Sequence, residues 1–104
     1  MFTKDEVVEA LLEEADIDDF AFQHIISASQ HMLGSGDDTS KAYLVLEALL
    51  DLGVVPVTSP YSVPPGQVWP EKDRSAIISR IDQEYRKIDR PLNFLDVCWF
   101  RKRK

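Results

Sequence analysis

The chain is most informative first in what it lacks. A single cysteine, Cys98, among 104 residues rules out an internal disulfide and accords with a reducing compartment. No run approaches eighteen uninterrupted apolar residues, and the opening MFTKDEVVEA carries acids where a signal peptide needs basic residues. A soluble, cytoplasmic protein without a membrane span is therefore expected. Basic residues are scarce, but in one half only. Up to Gly53 the chain holds two, Lys4 and Lys41, against twelve acids, a net charge of −10; the remainder holds ten against six, a net of +4.

Chemical signatures are missing as well. GSGDDTSK, Gly34 to Lys41, has two glycines and a lysine, yet it does not run into a Gly-Lys-Ser/Thr ending, and Asp37 with Asp38 would repel a phosphate. No dinucleotide fingerprint occurs. The acid-rich EEADIDDF, Glu13 to Phe20, offers oxygen donors, but an EF-hand loop counted from Asp16 needs glycine at its sixth position and a bidentate acid at its twelfth, where Ala21 and Ser27 stand. Paired catalytic carboxylates need environments that split their pKa values, and these acids share one solvated stretch. His24 and His31 sit two helical turns apart, roughly 10 Å, too far to share one metal ion. Cys98 lies among bulky apolar neighbours, the setting of an inert packing cysteine. No catalytic residue, cofactor or metal is expected, and the chain reads as a non-enzyme.

What is present builds one domain, residues 1–104: 44% apolar residues with ten aromatics suffice for a single core. Thr3 and Glu6 have capping-box spacing, and Val7, Val8, Leu11, Leu12 and Ala15 share a face, which predicts a helix from Lys4 to Ala15. Asp18 or Asp19 is placed to cap a second helix with the stripe Phe22, Ile25, Ile26, Ser29, Met32 and Leu33, ended by Gly34. GSGDDTS reads as a polar connection. A third helix, opened by Thr39 or Ser40 and stopped by Gly53, is apolar around most of its circumference and is expected at the centre.

VVPV, Val54 to Val57, reads as an edge strand because of Pro56. In the proline-rich stretch from Thr58 to Glu71, Pro65 and Gly66 fit a type II turn, and QVW, Gln67 to Trp69, fits a short return strand. Asp73 caps a fourth helix with Ile77, Ile78, Ile81, Tyr85 and Ile88 inward and Arg80/Glu84 and Asp82/Arg86 as i,i+4 pairs. FLDVCWF, Phe94 to Phe100, reads as a strand buried on both faces, followed by a basic RKRK tail. The expected class is α+β: three helices, a strand or hairpin with the proline-rich loop, a fourth helix and a C-terminal strand in a small antiparallel sheet.

Two functional readings follow. An acidic face steers and captures a basic protein, and it can stand in for the phosphates of a nucleic acid. In size, acidity, α+β make-up and lack of a catalytic signature, and in YLVLEALLDLGVVPV and VWPEKDRSAIISRIDQEY, the chain resembles small bacterial immunity proteins that neutralise secreted or contact-delivered toxins, many of them nucleases. That resemblance implies a basic, toxin-like partner and transfers no residue. The candidate interface is Glu9, Glu13, Glu14, Asp16, Asp18 and Asp19, with Tyr61 and Trp69 as apolar anchors. The alternative is nucleic-acid binding: three helices followed by strands resemble a winged helix, with Arg101 to Lys104 as the phosphate-contacting tail, although a body at −10 without those four residues opposes it.

Overall fold

The computed structural model describes residues 2–34 and 39–103. Its first element is the helix the sequence predicts, two residues longer: α1 (Lys4–Ile17). The capping box closes as expected, with the Glu6 amide donating to Thr3 Oγ1 at 3.3 Å and the Thr3 amide to Glu6 Oε1 at 3.0 Å. Val7, Val8, Leu11 and Ala15 are buried.

Between α1 and α2 (Phe22–Met32) the chain makes a two-residue strand, β1 (Phe20–Ala21). Neither Asp18 nor Asp19 caps α2, contrary to expectation. Phe20 and Ala21 lie opposite Phe100 and Trp99 in the sheet, and holding that register extends the backbone where a helix would otherwise begin. Ala21 takes the cap position, and its amide donates to His24 Nδ1 at 3.1 Å. Gly34 follows the helix with φ +64°, the left-handed stop that the sequence calls for. The connection expected over GSGDDTS falls largely in residues 35–38, outside the described residues.

Helix α3 (Ser40–Asp51) buries Ala42, Val45, Leu46 and Leu49 and packs against α1, α2 and α4 (Arg74–Arg86), the central place expected of it. Strand β2 (Val54–Val57) sits at the edge of the sheet, as Pro56 requires. Beyond it the proline-rich loop leaves and returns. The Thr58 amide donates to the Gln67 carbonyl, the Trp69 amide to the Pro56 carbonyl, and the return strand amounts to one bridge between Val57 and Val68. Gly66, at φ +57°, turns beneath Arg101, where a Cβ would stand 2.8 Å from a guanidinium nitrogen.

The last strand departs most from expectation. β3 (Trp99–Lys102) starts five residues later than FLDVCWF predicted and takes in half of the supposed tail. Asn93 and Asp96 are the reason. The Asn93 side chain accepts the Leu95 amide and the Asp96 carboxylate accepts the Asn93 amide, both at 2.8 Å, while Arg90 clamps Asp96 through two bonds of 2.7 and 2.8 Å. This turn consumes Asn93–Asp96, and Val97 leaves it at φ +66°, a conformation that a β-branched residue rarely adopts.

The sheet order is β1-β3-β2, antiparallel throughout, so β3 is the centre strand and the fold is α+β, with four helices among the described residues. Phe100 faces the helices, with its ring stacked on Phe20 at 5.6 Å, and one apolar cluster joins it to Val7, Leu11, Ile25, Leu46 and Ile81. Burying each such side chain contributes about 1.5–3 kcal/mol. The elements run helix, strand, helix, helix, strand, helix, strand, and the last strand lies in the middle of the sheet.

Candidate protein-interaction surface

The capping box fixes where α1 begins, and the apolar stripe fixes its rotation, so its polar residues must face outward. Asp5, Glu9 and Glu13 follow one another at i,i+4 spacing on that face, and Glu14, Asp16 and Asp18 are exposed beside them. Like charges so spaced repel, and no basic residue in the last turn offsets the acids at the helix's negative end.

The acidic stretch divides in two when its partners are traced. Asp16 accepts from Lys102 Nζ at 2.8 Å, and Asp19 is gripped by Arg101 through Nε at 3.2 Å and Nη2 at 2.9 Å. These pairs tie the end of α1 and the start of β1 to the centre strand. Asp5, Glu9, Glu13, Glu14 and Asp18 have no ion pair among the described residues. A large apolar side chain also belongs to this face: Ile17, at i+4 from Glu13, is 87% exposed.

Trp69 does not serve as an anchor. It is 3% exposed and belongs to the core, with the Arg80 guanidinium 3.7 Å over its ring, where Glu71 and Glu84 hold that guanidinium at 2.7 and 2.9 Å. A buried indole has no surface left for a partner, so Trp69 is a core residue rather than part of the interface expected from the sequence. Tyr61 is 71% exposed but stands apart from the acids. Successive strand residues point to opposite faces. Phe100 faces the helices, so Trp99 faces away, and Tyr61 packs edge-on against Trp99 and Phe94, with centroids at 6.4 and 5.8 Å. The expected site therefore separates into an acidic helix on one side of the sheet and an aromatic cluster on the other.

A cleft of about 610 Å³ runs between α2 and α4 past Gln23, Ser27, Tyr43, Tyr85 and Arg86. In it the Tyr43 hydroxyl donates to Asp82 at 2.7 Å; burial, then this bond, raises the phenol's pKa, while the same bond and one from Arg86 lower that of Asp82. Burial, reinforced by the nearby Glu84, pushes the Cys98 thiol up, away from the thiolate that a nucleophile needs. Among the described residues no group of three or more His, Cys, Asp or Glu could hold a metal ion, and no helix is long and apolar enough to cross a membrane.

Sequence reasoning missed Ile17, although its position opposite the apolar stripe was there to be read. It also missed Phe94 and Trp99 as surface residues, for which the Asn93 and Asp96 turn was the available signal. No family model, curated protein or solved structure matches the chain.

Proposed function

We propose that this chain is a non-enzymatic binding module that captures a basic protein on the outward face of α1, as small immunity proteins neutralise basic toxins, nucleases among them. The carrying observation is the division of charge. Arg74, Arg80, Arg86, Arg90, Arg101 and Lys102 are all spent on carboxylates within the chain. Asp5, Glu9, Glu13, Glu14 and Asp18 are left over on one helix and its end. Such a field accelerates encounter with a cationic surface by one to three orders of magnitude at low salt. Ile17 supplies an apolar contact within it, and the cytoplasm is the compartment this reading implies.

The nucleic-acid alternative relied on the basic tail, and Arg101 and Lys102 are strand residues with internal partners. The helix that would enter a groove must be exposed and basic. Here α3 lies under α4, and the residues it leaves exposed are Ser40, Lys41, Leu44 and Asp51.

The test compares wild type with Glu9→Gln/Glu13→Gln/Glu14→Gln/Asp18→Asn as bait in extracts of the native host, followed by binding kinetics on whatever basic protein is retained. The expected result is a basic partner whose association slows at least tenfold in the variant and whose salt dependence flattens. Equal rates and equal salt slopes for the two baits would remove α1 as the interface.

A further inference from the structure

We infer that the cavity where α1 begins, α2 ends and α3 begins is a binding site for a small amphipathic acid, a carboxylate carried on a short acyl chain or a single ring. The cavity encloses about 250 Å³ and is lined by Phe2, Lys4, Leu33, Lys41 and Leu44. Three of the five are apolar. Phe2 and Leu44 are each 50% exposed, and Leu33 is the buried wall, continuous with the core. The walls are fastened to one another before anything binds. The Phe2 amide donates to the Met32 carbonyl at 3.1 Å, which holds the start of the chain against the end of α2, and Lys41 Nζ donates to the Leu33 carbonyl at 3.2 Å.

Charge identifies the occupant. Up to Gly53 the chain has two basic residues against twelve acids, and both of them, Lys4 and Lys41, line this one cavity. Among the described residues no carboxylate lines it, and neither lysine has an ion pair. Lys41 has three N–H donors and spends one on the Leu33 carbonyl, so both ammonium groups keep donors for an anion. A neutral or cationic ligand leaves them unanswered. An acid with an apolar body answers both halves of the site, its carboxylate to the lysines and its chain or ring over Phe2 and Leu44.

Size narrows the class. The cavity is smaller than the roughly 300–1,000 Å³ typical of sites for drug-sized molecules, which suits one ring or a short chain. A ligand of so few atoms binds with a dissociation constant on the order of 0.1–1 mM.

The rest of the molecule makes the test discriminating. A chain at −6 repels anions as a whole, so a preference for an anion over its neutral and cationic counterparts has to come from a local site. The experiment is a two-dimensional amide NMR titration of the purified full-length chain with octanoate, octanol and octylammonium, one alkyl chain carrying a negative charge, none and a positive charge. Far-UV spectrum and melting temperature are checked for each variant. Octanoate should give saturable shifts centred on Phe2, Leu33, Lys41 and Leu44, bind about tenfold or more tightly than either counterpart, and weaken as salt rises. Lys4→Gln/Lys41→Gln should abolish the preference for octanoate over octanol. Because Lys41 also holds the Leu33 carbonyl, Lys4→Gln alone is the second variant; it should keep the wild-type melting temperature and weaken octanoate by about threefold or more. Leu44→Glu, at an exposed position, should weaken octanoate about tenfold or more. Glu9→Gln/Glu13→Gln/Glu14→Gln should leave the site able to bind, so the outcome does not depend on the reading of α1. No saturable shift with octanoate up to about 10 mM overturns the inference. So does equal binding of octanol and octanoate, which marks a merely apolar face, or octanoate binding that survives unchanged in both Lys4→Gln and Leu44→Glu.

Discussion

Two regions of this molecule handle charge in opposite ways. From Arg74 onward nearly every arginine has a carboxylate within 3 Å, and several of these pairs join distant parts of the chain: Arg74 reaches Asp51, Arg80 reaches Glu71, and Arg101 reaches Asp19. On α1 and its C-cap the reverse holds: the helix opens with Lys4, but Asp5, Glu9, Glu13, Glu14 and Asp18 have no ion pair among the described residues, and the helix carries their repulsion. The difference teaches that excess charge and used charge are separate quantities. In the second half, Arg74, Arg80, Arg86, Arg90, Arg101 and Lys102 fasten the fold through ion pairs. A net of −10 in the first half includes five carboxylates with no ion pair among the described residues.

The sharpest way to break this comparison is to cut the chain after Phe100. If the basic terminus were a free tail, the loss would be silent. Here it removes the pairing of Val54 and Val55 with Lys102 and Arg101 and both ties to the acidic stretch, and the cooperative thermal transition should disappear from the circular dichroism melt. Next in size is Trp69→Ala, which should cost about 3–5 kcal/mol in urea titration, against less than about 0.5 kcal/mol for Tyr61→Ala on the outer face. Asp19→Asn, which unmakes one partly buried, two-bond pair, should cost about 1 kcal/mol.

A pH series sharpens the contrast further. Hydrogen bonds from Tyr43 and Arg86 lower Asp82, and those from Arg90 lower Asp96, below the ordinary value of 3.8. A carboxylate with a depressed folded-state pKa stabilises the fold fully above its unfolded value and loses that contribution as pH falls through the folded one. Urea midpoints should hold down to about pH 4 and then decline, and Asp82→Asn should make that decline shallower. The smallest effect has the opposite sign: Glu9→Gln/Glu13→Gln/Glu14→Gln should raise the melting temperature by about 1–3 °C at low salt and leave it unchanged at high salt. A fall instead would mean that those acids have partners within the chain.

What could be read from the sequence was what local rules decide. The capping box at Thr3, the glycine stop at Gly34, the edge placement of Pro56 and the Arg80/Glu84 and Asp82/Arg86 pairs all depend on residues a few positions apart, and the structure has each of them. The misreadings share a cause too. Phe20 and Ala21 carry no strand signal of their own; they are extended because Phe100 and Trp99 lie opposite. FLDVCWF has a strand's composition, but Asn93 and Asp96 bend its first half before pairing can begin. Trp69 and Tyr61 offer the same chemistry on paper, and only the route of the proline-rich loop decides that one is core and the other surface. The acids of α1 were legible as a group, whereas the capture of Asp16 and Asp19 depends on the register of a strand whose position was itself misplaced.

The order β1-β3-β2 has a consequence for how the chain is made. The outer strands do not touch each other, and the contacts that close the sheet span the chain, with Asp19 and Arg101 separated by 82 positions. While the polypeptide is being synthesised, β1 and β2 emerge with nothing between them, and the faces of Phe20 and Val54 stay open to solvent and to other nascent chains. Translation stalled anywhere before Trp99 therefore yields a helical fragment with its sheet missing, a natural substrate for chaperones and proteases.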